Sequence, residues 1–208
     1  MNKKDEKLIS FFEDIKKDEK ITNSTIKIQN NINVYANSKV IAISAAKDDI
    51  AIDIVARTIS EVYAMQGQST LLIDCDMYNP SLNILFNMEN IEIGLNDIFT
   101  NEVDMAKLVT HFSDNLDIVF TKKTNYPTDI FLSKEYNDFI DKAKEKYKHI
   151  LLIIPSIIEH QDILLSQKII TSVLLVARKN KVSKKDLFNS ISFLKSNDMP
   201  YVGVVYLK

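Results

Sequence analysis

The sequence predicts an α/β domain built on a doubly wound, mainly parallel sheet with helices on both faces. Three observations lead there. Apolar segments of strand length alternate with longer segments of helical period along most of the chain. Several strand segments are unbroken apolar runs, "ILLII" at 150–154 and "SVLLVA" at 172–177, the pattern of strands covered on both faces. Hydrophobic residues make up 46% of 208 residues, enough to bury one full core.

Taken in order, residues 3–18 read as a charged amphipathic helix with Leu8, Ile9, Phe11, Phe12 and Ile15 on its apolar side. A polar break at 20–23 separates this arm, residues 1–22, from a single domain over 23–208. A weak helix follows over 24–35. Strands are expected at 39–45, 70–75, 116–120, 149–154, 172–177 and 201–206, and helices at 49–65, 134–147, 159–168 and 182–196. Within 49–65, Ala51, Ile54, Val55, Thr58, Ile59, Val62 and Met65 share one helical face. Ligands of such sheets bind beyond the C-terminal ends of the strands, which here are residues 45–49, 74–80 and 155–161.

Composition excludes several classes of function. The net charge of −2 gives no global basis for nucleic-acid binding. One cysteine, Cys75, excludes an internal disulfide framework and suits a reducing compartment. No apolar run reaches the length of a membrane span, and the N-terminus lacks a signal-peptide core, so a cytoplasmic protein is expected, held at a membrane only through a partner or the arm. Only Gly67, Gly94 and Gly203 are glycine, which removes most chemistry that needs glycine loops.

Two stretches carry the site. In "LLIDCDMYNP" (71–80) a buried strand emerges into Asp74 and Asp76, carboxylates at i, i+2 that share a side if the strand continues. They could hold magnesium beside a phosphate, since hard cations take oxygen ligands. The competing role, capping the next turn and holding the strand end, outweighs it where no phosphate loop stands opposite. The other stretch is "KVIAISAAKDDIAIDIVARTISEVYAM" (39–65), a strand, turn and helix with three aspartates where many α/β proteins place a glycine-rich phosphate loop.

"LLIDCDMYNPSLNILF", "IGLNDIF", "PTDIFLS" (127–133), "YKHILLIIPSIIEHQD" (147–162) and the final strand–helix–strand ending "GVVYLK" occur in the order of a known family. From about Ser24 to Leu207 the chain resembles the bacterial tyrosine kinases of capsule and exopolysaccharide assembly. These belong to the deviant P-loop ATPases related to MinD and ParA. All three glycines fall where the family pattern has glycine. The resemblance implies a P-loop NTPase-like fold, ATP and magnesium as cofactors of active members, and activation by a cytoplasmic segment of a separate membrane co-polymerase.

It also shows what has changed. Aligned without a gap to the family's phosphate loop, this chain reads "SAAKDDIAIDI" over 44–54, so the degenerate loop comprises Lys47, Asp48, Asp49, Ala51, Ile52 and Asp53. Asp49 and Ala51 replace glycines, Ile52 the lysine, and Asp53 the magnesium-binding Ser/Thr. Phosphate loops work through converging backbone N–H groups, glycine angles and a lysine charge. Three aspartates facing phosphate oxygens repel them instead. Asp48 or Asp49 is expected to cap the following helix, supplying the anion that a phosphate otherwise provides. The family aspartate at the end of the later strand is matched by Ile153, and the two arginines after Asp76 by Tyr78 and Asn79. Asp162 matches a further family aspartate. The family's ring-building E-x-x-R-x-x-R helix is matched by Asn23, Ile26 and Gln29, which argues against ring assembly through it. The tyrosine-rich tail is also unmatched.

Other candidates are weaker. His111, His149 and His160 have no second ligand at metal spacing. Cys75 reads as a core residue, Ser156 lacks triad partners, and the lysines at 144–148 and 179–185 read as solvated faces. The expected function is an inactive, kinase-like binding or regulatory subunit with no cofactor of its own. Its expected partner is a membrane co-polymerase or a related kinase. The alternatives are an ATP-binding autokinase or ATPase with an unusual site, in which Asp74 and Asp76 act, and a MinD/ParA-like positioning adaptor.

Overall fold

Seven strands form one sheet: β1 (Val40–Ala45), β2 (Thr70–Asp74), β3 (Thr110–Ser113), β4 (Leu116–Val119), β5 (His149–Ile153), β6 (Ser172–Arg178) and β7 (Tyr201–Leu207). Their spatial order is β3-β4-β2-β5-β1-β6-β7. Every pairing is parallel except β3 with β4. The structure, a computed structural model, describes residues 25–30, 32, 39–88, 90–99 and 105–207. The expected amphipathic helix at 3–18, and with it the arm over 1–22, lies outside the described residues. Of the expected helix at 24–35, the described residues 25–30 and 32 are helical.

The period-2 alternation of the central strands divides the core in two. Ile41, Ile43, Leu72, Leu151, Ile153 and Leu174 face α1 (Ala51–Met65), which buries Ile52, Val55, Ala56, Ile59 and Tyr63 against them. Val40, Ala42, Leu71, Ile73, Leu152 and Leu175 face the opposite layer. That layer contains α4 (Pro127–Leu132), α5 (Lys134–Lys146) and α6 (Lys184–Ser196), which follow the short α2 (Leu82–Leu85) and α3 (Met105–Leu108). Helix starts follow capping chemistry: Ser133 accepts the Tyr136 N–H, and Ser183 and Asp186 form a reciprocal capping box. Gly67 ends α1 at φ +71°, and a side chain at Gly94 would press on the backbone of 120–122 at 3.3 Å.

Four expectations change. The antiparallel edge strand β3 is added; its "THFS" carries no apolar alternation, and three of its four residues are exposed. The helix expected at 159–168 is only a 3-10 turn, Asp162–Ser166. The face assigned to 49–65 is rotated: Met65 is 83% exposed, while Ile52, Ala56 and Tyr63 lie inside. Sheet packing, rather than summed hydrophobicity, selects the buried stripe. Finally, β2 stops at Asp74, so Asp74 and Asp76 do not share one strand face.

Candidate functional site

The loops after β1, β2 and β5 meet at the C-terminal edge of the sheet, joined by the last residue of β6. Ser44 is wholly buried, and its hydroxyl donates to the Pro155 carbonyl at 2.7 Å, fixing the β1 loop against the β5 loop. Asp48 then ties all three loops together. Its Oδ1 accepts the Ser156 N–H at 2.9 Å, its Oδ2 accepts Asn79 Nδ2 at 3.3 Å, and its own N–H donates to Glu159 Oε2 at 3.1 Å. His160 Nε2 lies 3.8 Å from the same Oδ2.

Asp49 is the residue that meets the helix start. Its Oδ1 accepts the Ala51 N–H at 3.0 Å, and its carbonyl accepts the Ile52 N–H at 2.9 Å. The helix boundary falls at Ile50, so the capping carboxylate sits one residue further out than expected. Oδ2 of Asp49 pairs with Arg178 Nε at 2.8 Å. The N-terminal end of α1 thus meets a carboxylate and a counter-cation, both from this chain. Asp49→Ala is expected to lower stability by about 1–2 kcal/mol, through loss of the N–H acceptor and of the arginine's partner. Asp49→Asn retains the first and loses the second. Equal urea midpoints for wild type and Asp49→Ala would contradict the capping role.

The remaining loop residues point elsewhere. Lys47 pairs with Asp186 on α6 at 3.3 Å. Ala51 and Ile52 are buried in the core, so the position of the family lysine is a packing position. Ile153, the position of the family's later aspartate, is 1% exposed and packs in the same cluster. Tyr78, at a family arginine position, stacks on His160 with ring centroids 3.8 Å apart and donates its hydroxyl to Asp162 at 2.7 Å. Burial pushes the Tyr78 hydroxyl up to about 12. Asp162 is thereby engaged in packing the β5 loop.

Asp53, Asp74 and Asp76 form the acidic floor. Ser81 donates to Asp53 Oδ2 at 2.9 Å. Asp74 Oδ1 accepts the Asp76 N–H at 2.9 Å, and Asp76 Oδ1 accepts the N–H groups of Tyr78 and Asn79 at 3.1 and 3.0 Å. Burial raises all three carboxyls: Asp53 to about 7, Asp74 well above the usual range, and Asp76 less. Their mutual repulsion adds to this. Among the described residues no group of three His, Cys, Asp or Glu side chains is arranged to hold a metal ion. Asp74 and Asp76 each accept a backbone N–H two residues on, the geometry of Asx-type turns at the strand end.

Cys75 is buried beside Tyr136, its Sγ 4.0 Å from the tyrosine oxygen, and burial pushes its thiol up. Of the histidines, His111 pairs with Asp117 at the surface. His149 stacks on Tyr63 inside, where burial lowers it to about 4. The Ser156 hydroxyl donates to the Ala46 carbonyl at 2.9 Å, so it too ties loops together. Three contributors were not singled out in the sequence, Arg178, Glu159 and Ser81. Arg178 had a legible signal: it is the charged residue that ends the apolar run of β6, at a fourth strand terminus.

This fold is that of a P-loop NTPase-like α/β domain, with a mostly parallel seven-stranded sheet. In structure it is similar to the chimerical protein CapA2B2, at a TM-score of 0.84 and 20% identity over 92% of this chain and 85% of that one. It is also similar to the MinD septum-site protein of Pyrococcus horikoshii, at a TM-score of 0.67 and 16% identity over 81% of this chain and 69% of that one. In sequence, its homologues are bacterial tyrosine kinases. It is 23% identical to the tyrosine-protein kinase wzc of Salmonella typhi over 83% of this chain, and spans 24% of that kinase's length. It is 26% identical to the tyrosine-protein kinase CpsD of Streptococcus pneumoniae over 82% of this chain and 76% of that kinase. No protein-family model matches the chain.

Proposed function

We propose that this protein is a catalytically silent relative of the capsule and exopolysaccharide tyrosine kinases, acting as a binding or regulatory subunit. It docks on the cytoplasmic segment of a membrane polysaccharide co-polymerase, or on a related kinase, and modulates export or chain length without transferring phosphate. One observation carries the reading. The N-terminal end of α1, where a phosphate loop would cradle its ligand, is met by the protein's own Asp49 carboxylate, itself paired with Arg178. A nucleotide phosphate would have to displace that carboxylate without the family lysine, whose place Ile52 fills inside the core. No helix among the described residues is long and apolar enough to cross a membrane, which suits a partner that supplies the membrane segment.

Calorimetry with ATP and magnesium is expected to give no micromolar binding. A clear micromolar dissociation constant would return the protein to the nucleotide-binding class. In cells, deletion of the gene is expected to alter surface polysaccharide, and the Asp74→Ala, Asp76→Ala double variant to restore it. Failure of a folded double variant to rescue would favour residual carboxylate chemistry. An unaltered polysaccharide would favour a positioning adaptor.

A further inference from the structure

We infer that the loop joining β6 to α6, together with the first turns of α6, is a docking surface for anionic lipid headgroups. Five of the eight residues from 178 to 185 are basic, in a chain whose net charge is −2. Arg178 is engaged by Asp49. Lys179, Lys181, Lys184 and Lys185 are all exposed, and none forms an ion pair among the described residues. The loop is a fixed turn: the N–H groups of Lys181 and Val182 both donate to the Arg178 carbonyl, Asn180 takes φ +65°, and the Lys179 N–H donates to the Leu207 carbonyl at 2.8 Å. The lysine backbones are therefore held on one corner of the sheet.

Two features separate this corner from an ordinary solvated face. Lys184 and Lys185 occupy the first turn of α6, where the helix dipole disfavours cations, and the single acid there, Asp186, is already taken by the capping box and by Lys47. The charge runs against local helix stability, which points to an external anion. Exposed apolar side chains also adjoin the lysines. Phe188, one turn on from Lys184 and Lys185 and thus on their face, is 70% exposed, while its neighbours Leu187 and Ile191 pack inward. Tyr206 is 55% exposed. It pairs in register with Ala177, and because Val205 and Leu207 pack toward α1 it lies on the α6 side of β7. Lysines around protruding aromatics match a bilayer interface, where the rings enter the headgroup layer and the ammonium groups meet phosphates. A soluble acidic partner would use the lysines and leave Phe188 idle.

The experiment is vesicle flotation of the full chain. Binding is expected to phosphatidylcholine vesicles containing roughly a third phosphatidylglycerol, not to phosphatidylcholine alone, and to weaken as salt rises from about 0.1 to about 0.5 M. Each lysine is expected to contribute about fivefold, so changing Lys179, Lys181, Lys184 and Lys185 to Gln should reduce binding several-hundred-fold. These positions are exposed and two of them oppose the α6 dipole, so the thermal midpoint should not fall. Phe188→Ser should weaken binding several-fold with every lysine in place. Retained binding by the quadruple variant, equal binding to neutral vesicles, or indifference to Phe188→Ser each overturns the proposal. So does binding that survives the lysine changes but is lost when residues 1–20 are removed, which would assign it to the arm.

Discussion

Asp53→Asn is expected to stabilise the protein by about 2–4 kcal/mol near pH 8 and by little near pH 4. The Asp53 carboxyl is 6% exposed, repels the still more buried Asp74, and is raised from 3.8 to about 7, chiefly by burial. In the unfolded chain it ionises near its ordinary value. Between about pH 4 and 7 the folded state therefore holds a proton that the unfolded state has released. Stability falls as pH rises through that window and levels off above it. Asp74, also raised, adds a slope of the same sign. Asparagine removes the charge and retains an acceptor for the Ser81 hydroxyl. Urea denaturation near pH 4, 6 and 8 reads the effect directly. Parallel pH profiles for wild type and variant would mean that Asp53 is not the group that titrates.

The same pair shows how far the sequence could be read. Strand positions were legible because a strand buried on both faces must be apolar throughout, as "HILLI" and "SVLLVAR" are. The longer helices at 49–65, 134–147 and 182–196 were legible from period, whereas the one expected at 159–168 is a 3-10 turn and α4 left no long periodic signal. The edge strand β3 was not legible, because an exposed strand leaves no apolar alternation. Nor was the buried face of α1, since nearly every residue of its first turns is apolar and only the sheet's position chooses among them. In the site, the isoleucines at 52 and 153, where the resemblance implies a lysine and a carboxylate, were plain in the letters. What the aspartates do instead was only half visible. Helix capping by Asp49 follows from local chemistry. The reach of Asp48 to Ser156, 108 residues on, and of Asp49 to Arg178, 129 residues on, depends on which strands end side by side. The crowding of Asp53 with Asp74 needs the helix and β2 placed together.

Ile153→Asp, which places a carboxylate at the end of β5, is expected to destabilise the protein by about 5 kcal/mol or more near neutral pH. Ile153 pairs in register with Ile43 on one side and Asp74 on the other, and packs on the α1 side of the sheet at 1% exposure. The substitution removes a buried branched side chain, worth about 2–4 kcal/mol with the cavity it leaves. It also sets a second carboxylate beside Asp74, already raised by burial and by Asp53. A domain of this size has about 5–15 kcal/mol in all, so the variant should be largely unfolded or close to it. Ile153→Asn separates the two costs, since it makes the same cavity without a charge. The Asp and Asn variants should converge near pH 4, where the new carboxyl is protonated, and diverge as pH rises. If the Asp variant instead matches the Asn variant near pH 8, this corner tolerates the extra charge, and one substitution would rebuild part of a nucleotide site. If they diverge as expected, the apolar packing around Ile153 and the acidic floor beside it have become mutually dependent. A carboxylate there then requires the Asp53 charge to be removed as well.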